Sequence, residues 1–242
     1  MDYSLEIVQG AEELARKGAE RFIALAGTAR QEHRPFRVAL AGGNTPATLY
    51  KTLSSSYRTK VDWSIVEFFF GDDRAVPPDH PDSNFRLAAE SLFRPAGIPS
   101  RQIHRMRGEM EDLDAASELY SEELGPWATD DLPRFDLVLL GMGPDGHTAS
   151  LFPNSAILEE RTRWVVPVFD SPKPPPRRLT LTLPVLNAAH QVIFLVSGKD
   201  KAPAVREVLK GNAPGAQYPV KLVRPRPDRL LWLLDQEAAS QL

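Results

Sequence analysis

The 242-residue sequence contains no cysteine. That excludes a disulfide framework, thiolate catalysis and any cysteine-ligated metal site, and it suits a reducing compartment. No apolar run approaches the ~20 residues that a membrane-spanning helix needs. The opening MDYSLEIVQGAEELARKG is polar and mixed in charge, unlike a secretory leader. A formal net charge of −3 offers no basic footprint for nucleic acid or an anionic membrane. Internal repeats are lacking, and SPKPPP at 171–176 is the one compositionally biased tract. These absences predict a cytoplasmic soluble protein without nucleic-acid or membrane partners. What is there is ordinary for a globular chain: 42% hydrophobic and 25% charged residues, enough for one α/β domain over 1–242 with a sizeable core.

Apolar periodicity predicts an edge strand at Leu5–Val8 and a helix over Ala11–Ala29, with Leu14, Ala15, Ala19, Phe22, Ile23 and Ala26 on one stripe. Further strands are expected at Phe36–Ala41, Ile65–Phe70, Phe135–Leu140 and His190–Val196. A strand at Arg163–Phe169 is weakened by Pro167. Alternation in RLTLTL predicts a half-exposed strand at Arg178–Leu183, and Val220–Val223 and Leu230–Leu234 read as late short strands around RPRPDR. Helices are expected at Pro46–Leu53, Asn84–Phe93 (capped by Ser83 or Asn84), Asp114–Leu124 and Lys201–Leu209. Strands alternating with helices imply a mainly parallel sheet covered on both faces. Four strands, ending at Ala41, Phe70, Leu140 and Val196, each run into a polar loop containing glycine. If they are parallel neighbours, all four loops meet at one edge of the sheet, where open α/β folds bind ligands.

The chemistry-bearing residues lie in those loops. After the third strand, GMGPDGHTASLFP places Asp145 and His147 two positions apart among Gly141, Gly143 and Gly146, with a helix or helical turn expected to follow and Thr148 near its start. An imidazole can carry a proton between water and a leaving oxygen, and a neighbouring carboxylate can fix its tautomer. Turn and cap roles are the plainer reading of both residues. Gly42, Gly43, Asn44 and Thr45 precede a helix start and would make an anion site from backbone N–H groups. The loop is neither a Walker motif nor a dinucleotide fingerprint. Arg178 and Lys201 could supply positive charge for a phosphate, and Arg74 could serve a ligand or simply neutralise the two aspartates beside it. Asp72 and Asp73 lack the histidines of a metal site, so no metal is expected. With no G-x-S-x-G serine, covalent acyl chemistry lacks a nucleophile. Water activation or a proton shuttle on a small phosphorylated substrate is the class these residues favour.

In LAGGNTP (40–46), FFFGDDRAVPPDHPDSNF (68–85), GMGPDGHTASLFP (141–153), PPPRRLTLTLPVLNAA (174–189) and VSGKDKA (196–202), the sequence resembles the 6-phosphogluconolactonase family, within the wider glucosamine-6-phosphate isomerase/deaminase group. The resemblance implies a three-layer α/β fold. It also implies cofactor-free hydrolysis of 6-phosphoglucono-1,5-lactone in the oxidative pentose phosphate pathway. The small apolar strands at both termini could pair with another copy, so monomer and homodimer are equally compatible. His147 would be the general base and Asp145 its support. Gly42 to Thr45, Arg74, Arg178 and Lys201 would hold phosphate and sugar, and Asp72 or Asp73 would contact substrate hydroxyls or assist proton transfer. Asn44 stands where a serine is more usual. The deaminases of the group carry an Asn-Glu pair after the histidine, where this chain has Leu151 and Phe152, and Phe cannot do that glutamate's proton work. A non-catalytic sugar-phosphate sensor is a further alternative, but a basic DNA-binding segment is not apparent.

Overall fold

The computed structural model describes residues 3–226 and 228–242. Its elements in chain order are β1 (Ser4–Val8), α1 (Ala11–Gln31), β2 (Phe36–Leu40), α2 (Asn44–Ser54), β3 (Val66–Phe70) and β4 (Asp72–Arg74). Next, α3 (Asn84–Ala88) runs through a π-helical turn into α4 (Arg94–Ala96), followed by α5 (Leu113–Leu124), the two-residue strands β5 (Ala128–Thr129) and β6 (Leu132–Pro133), and β7 (Leu137–Leu140). The chain ends with β8 (Val165–Val168), β9 (Arg178–Leu181), α6 (Leu183–Asn187), β10 (Val192–Val196), α7 (Ala202–Lys210) and β11 (Leu230–Asp235).

Six strands form one parallel sheet in the order β1-β11-β10-β7-β2-β3. Strands covered on both faces read as continuous apolar runs, and period two divides each run between two cores. Leu137, Leu139, Ile193, Leu195, Leu231 and Leu233 face the side of α1 to α4. Val138, Leu140, Phe194, Val196, Trp232 and Leu234 face the side of α5 to α7. On that second side Phe194 and Trp232 stack at 4.3 Å, and truncating either to Ala would cost about 3–5 kcal/mol. The stripe predicted for α1 is its buried face, and Gly18 lets α1 settle against Leu49 of α2, where an added Cβ would lie 3.2 Å away. Glu12 and Glu13 in the first turn and Arg30 in the last match the helix dipole. Ser83 caps α3 by accepting from Arg86 N, and Asp112 caps α5 by accepting from Ala115 N.

From β2 the chain steps outward to β3; when it returns as β7 it lies on the other side of β2 and proceeds toward β10 and β11. The crevice between the carboxyl ends of β2 and β7 is therefore a topological switch point. A smaller antiparallel sheet, β4-β9-β8, is mounted over that end. It is joined to the main sheet by Gly71, whose N–H donates to Leu40 O and whose carbonyl accepts from Leu181 N.

Several expectations require correction. Asp72–Arg74, read as loop, is β4, because its backbone pairs with β9. Arg178–Leu183, expected half-exposed, is buried along β9, since Leu179 and Leu181 enter the core and Arg178 and Thr180 are covered on the opposite face. No helix follows His147: Thr148 and Leu151 exchange backbone hydrogen bonds in a tight turn, with Ala149 at φ +47°. Pro219–Leu222 is a 3-10 turn, because β11 already has both of its neighbours. Pro227 in the RPRPDR connection lies outside the described residues, as do Met1 and Asp2 of the N-terminal stretch.

Candidate active site

At the switch point lies a cleft of about 220 Å³, whose wall includes Gly42 and Gly43 after β2, Gly71 and Asp72 after β3, and Gly141 to Pro144 after β7. Lys201, from the 3-10 turn (Lys199–Lys201) after β10, completes the convergence of four loops. Two of these strand ends are gripped by buried tyrosines. The Tyr50 hydroxyl donates to Ala41 O (2.7 Å) and accepts from Ala41 N (3.0 Å). Tyr120 likewise donates to Phe70 O (3.2 Å) and accepts from Phe70 N (2.8 Å).

His147 and Asp145 are brought together: imidazole Nδ1 lies 2.5 Å from Asp145 Oδ1. With the ionised carboxylate accepting from Nδ1–H, Nε2 carries the lone pair. Burial raises the Asp145 pKa, but the hydrogen bond and charge of His147 and the ammonium of Lys173 outweigh it and hold the carboxyl well below the usual range. Gly143 is needed here, since a Cβ would fall 2.1 Å from Nδ1. The Thr148 hydroxyl ties the turn back to Gly141 O at 2.8 Å. Phe152 packs on the imidazole with centroids 4.7 Å apart, and the Arg178 guanidinium lies over the same phenyl ring at 5.4 Å.

The two aspartates of β4 part company. Asp72 lines the cleft and accepts from Ser150 Oγ (2.7 Å) and Asn84 Nδ2 (3.2 Å). Asp73 turns away, accepting from the N–H of the adjacent Arg74 and from the Asn84 and Phe85 N–H groups at the start of α3. Burial pushes its carboxyl up to about 6 against those three bonds. Asn84, which sequence reasoning placed only as a cap, thus links Asp72 to the glycine loop.

Gly43, at φ +100°, N-caps α2, so the positive end of that helix opens on the cleft that Gly42 and Gly43 line. The structure does not bring Asn44 or Thr45 into the wall: both belong to the first turn of α2, and Asn44 is exposed. Arg74, Arg178 and Lys201 do line the cleft, joined by Lys173, which the sequence reading missed. Arg74 and Arg178 are direct cross-strand partners, a like-charge pairing unfavourable unless an anion lies between them. Arg74 Nε is buried without a hydrogen-bond partner among the described residues, the kind of orphaned donor that a ligand satisfies. Among the described residues, no cluster of three or more His, Asp or Glu side chains is arranged to hold a metal, and no helix is long and apolar enough to cross a membrane.

The profile of the family described as glucosamine-6-phosphate isomerases/6-phosphogluconolactonase matches residues 9–232. The chain belongs to this family. Among its relatives, the 6-phosphogluconolactonase of Mycobacterium tuberculosis is 40% identical over 248 residues, covering 100% of this chain and 99% of that one. The solved 6-phosphogluconolactonase of Trypanosoma brucei superposes with a TM-score of 0.86 at 30% identity, over 99% of this chain and 98% of that one. A monomeric glucosamine-6-phosphate deaminase shares the fold alone, with a TM-score of 0.84 at 23% identity over 99% and 100% of the two chains. Backbone likeness therefore does not separate the two chemistries of the family, and the residues at the cleft must.

Proposed function

We propose that this chain hydrolyses 6-phosphoglucono-1,5-lactone to 6-phosphogluconate in the oxidative pentose phosphate pathway, with His147 as general base. The observation that carries the base assignment is the Asp145–His147 pair at the carboxyl end of β7, in a cleft ringed by four cationic side chains. His147 Nε2 takes a proton from water as the water oxygen attacks the lactone carbonyl carbon. The bond to the ring oxygen then breaks, and the imidazolium returns the proton to that oxygen. Asp145 stabilises the imidazolium and keeps the ring in one tautomer. Gly42, Gly43, Arg74, Arg178 and Lys201 hold the phosphate and sugar, while Asp72, oriented by Ser150 and Asn84, accepts from a substrate hydroxyl.

Deamination of an amino-sugar phosphate is disfavoured by Phe152. Its ring is 3% exposed and packs between His147 and Arg178, and a phenyl group cannot do the proton work of the glutamate that the deaminases carry at this position. We place the protein in the cytoplasm, as a monomer or homodimer. The decisive assay follows acid release from freshly made 6-phosphogluconolactone against an enzyme-free control, with ammonia release from glucosamine 6-phosphate measured in parallel. Acceleration of the first alone, abolished in His147→Ala, is the expected result. Ammonia release without acid release would overturn the reading, and phosphosugar binding without turnover would indicate a sensor.

A further inference from the structure

Lys173 is the cleft cation that the family-based assignment leaves without a role. Its backbone is pinned: the N–H donates to Ser171 Oγ (3.2 Å), and the carbonyl accepts from Ser171 Oγ (2.9 Å) and Arg178 Nη2 (3.0 Å). Arg178 also donates to Pro174 O and Pro175 O, so one buried guanidinium fastens the whole proline segment beside the cleft. The Lys173 stem, by contrast, is 37% exposed, and its ammonium meets Asp145 Oδ2 at 3.4 Å. A fixed backbone carrying a half-exposed charged tip is a geometry in which the tip can change partners while the loop stays in place.

The other cations are more committed. Arg74 Nη1 donates to Asp82 O at 2.6 Å, Arg178 holds the proline loop through Nε and Nη2, and Lys201 pairs with Asp200 at 2.9 Å. Asp145 is shared, with one oxygen toward the imidazole and the other toward Lys173. The charged groups around the Asp145–His147 pair are thus Lys173 from the proline loop, Arg74 and Asp72 from β4, Arg178 from β9 and Lys201 before α7. A carboxylate divided between an ammonium and an imidazole supports an imidazolium less well than one facing the imidazole alone.

We propose that Lys173 is a specificity-determining residue: its ammonium exchanges from Asp145 to the phosphate of a bound substrate, leaving the Asp145 carboxylate to His147. This rests on the lactonase reading above. A phosphate monoester carries about −1.5 to −2 charge at neutral pH and three acceptor oxygens, and outcompetes a single, partly solvated carboxylate whose ion pair is weak. The phosphorylated substrate thereby supplies both its own anchor and the release of the catalytic pair. An unphosphorylated lactone in the same cleft leaves Lys173 on Asp145 and the pair damped.

The test compares wild type with Lys173→Met and Lys173→Arg on 6-phosphogluconolactone and on glucono-1,5-lactone. In Lys173→Met, kcat/KM for the phosphorylated lactone should fall about 10-fold or more, whereas kcat for glucono-1,5-lactone should rise about fivefold. Lys173→Arg should recover most of the first loss. Opposite movements are not what a merely structural residue produces; a parallel fall on both lactones, or no change on either, overturns the proposal. Calorimetric binding of 6-phosphogluconate and of gluconate gives a readout independent of turnover. If wild type hydrolyses neither lactone, yet binds 6-phosphogluconate more tightly than gluconate and loses that margin in Lys173→Met, the lactonase reading falls and the role of Lys173 stands. If Lys173→Met keeps the margin, the role of Lys173 falls whichever lactone is hydrolysed.

Discussion

The side-chain amide of Asn84 lies where a β-carbon on residue 42 would be, so an alanine Cβ there would come within 1.8 Å of Asn84 Oδ1. Gly42 is therefore required for a close approach between the β2 loop and the start of α3. Asn84 in turn donates to both the carbonyl and the carboxylate of Asp72. Gly42→Ala should displace Asn84, loosen Asp72 and lower kcat/KM by about 10²-fold, the usual penalty for misplacing a site group by an ångström. In an Asn84→Ala background the space is already free, so the further cost of Gly42→Ala should shrink to a small fraction of that. Steady-state kinetics on the four proteins checks this, and strictly additive losses would count against it.

His147→Ala should reduce kcat by about 10²-fold or more. Asp145→Asn should give a loss of the same order, because an amide neither stabilises the imidazolium nor fixes the tautomer with Nε2 unprotonated. KM should change little in either variant. A near-normal kcat in His147→Ala would remove the imidazole from the mechanism.

Tyr50→Phe deletes the hydroxyl that bonds both the N–H and the carbonyl of Ala41 within the core. Two backbone groups would then be buried without that partner, at a cost of about 1–3 kcal/mol each. Urea unfolding should show a loss of about 2–6 kcal/mol for the two groups together, with kcat/KM falling as well, because Ala41 leads directly into the Gly42–Gly43 loop of the cleft. A stability change below about 0.5 kcal/mol, the net worth of an ordinary hydrogen bond at its weakest, would contradict the clamp.

How much of this was legible beforehand follows from the physics of each element. Val138 to Leu140 and Val192 to Val196 read as strands because a strand buried on both faces is an unbroken apolar run, and the glycines after them marked the switch-point edge. The small antiparallel sheet was hidden. Asp72–Arg74 is short and fully charged, and its strand character comes from pairing with residues about a hundred positions away. Asp72 and Asp73 were indistinguishable in sequence, because strand alternation sends one to the cleft and the other to the start of α3. Ser83 or Asn84 was read as the cap of α3, and Ser83 is that cap, but a local capping signal says nothing of the long-range contact between Asn84 and Gly42. Lys173 sat in a proline tract whose path depends on Arg178, so its approach to Asp145 had no local signature.

Lys201 and Arg178 should differ on replacement, although both are cations of the same wall. Lys201→Met removes a charge from a side chain whose one ionic partner among the described residues is Asp200 beside it. Lost phosphate binding is felt equally in ground and transition states, so KM should rise about 10-fold with kcat little changed. Arg178→Met additionally releases the carbonyls of Lys173, Pro174 and Pro175, and should raise KM and lower kcat together. Equal kinetic signatures in the two variants would refute the distinct role assigned to the Arg178 fork.

His104 should make stability depend on pH at a place remote from the cleft. Its Nε2 lies 2.9 Å from Glu67 and its Nδ1 3.8 Å from Glu123, while the ring stacks on Phe69 at 4.4 Å. Burial lowers the imidazole pKa, but the hydrogen bonds and charges of Glu123 and Glu67 outweigh it, and the pKa in the folded protein is raised above 6.5. A raised value means that the folded state holds this proton more tightly than the unfolded chain. The stabilisation is complete below about 6.5 and is lost as pH climbs through the folded value. His190 is shifted the other way, chiefly by burial, so its contribution changes below 6.5 and does not mask this one. Urea unfolding of wild type from pH 6 to pH 8.5 should therefore show stability falling with pH, and His104→Gln should flatten that slope. If the slopes coincide, the stabilising proton is not on His104, and the Glu67–His104–Glu123 cluster is held by packing on Phe69 rather than by charge.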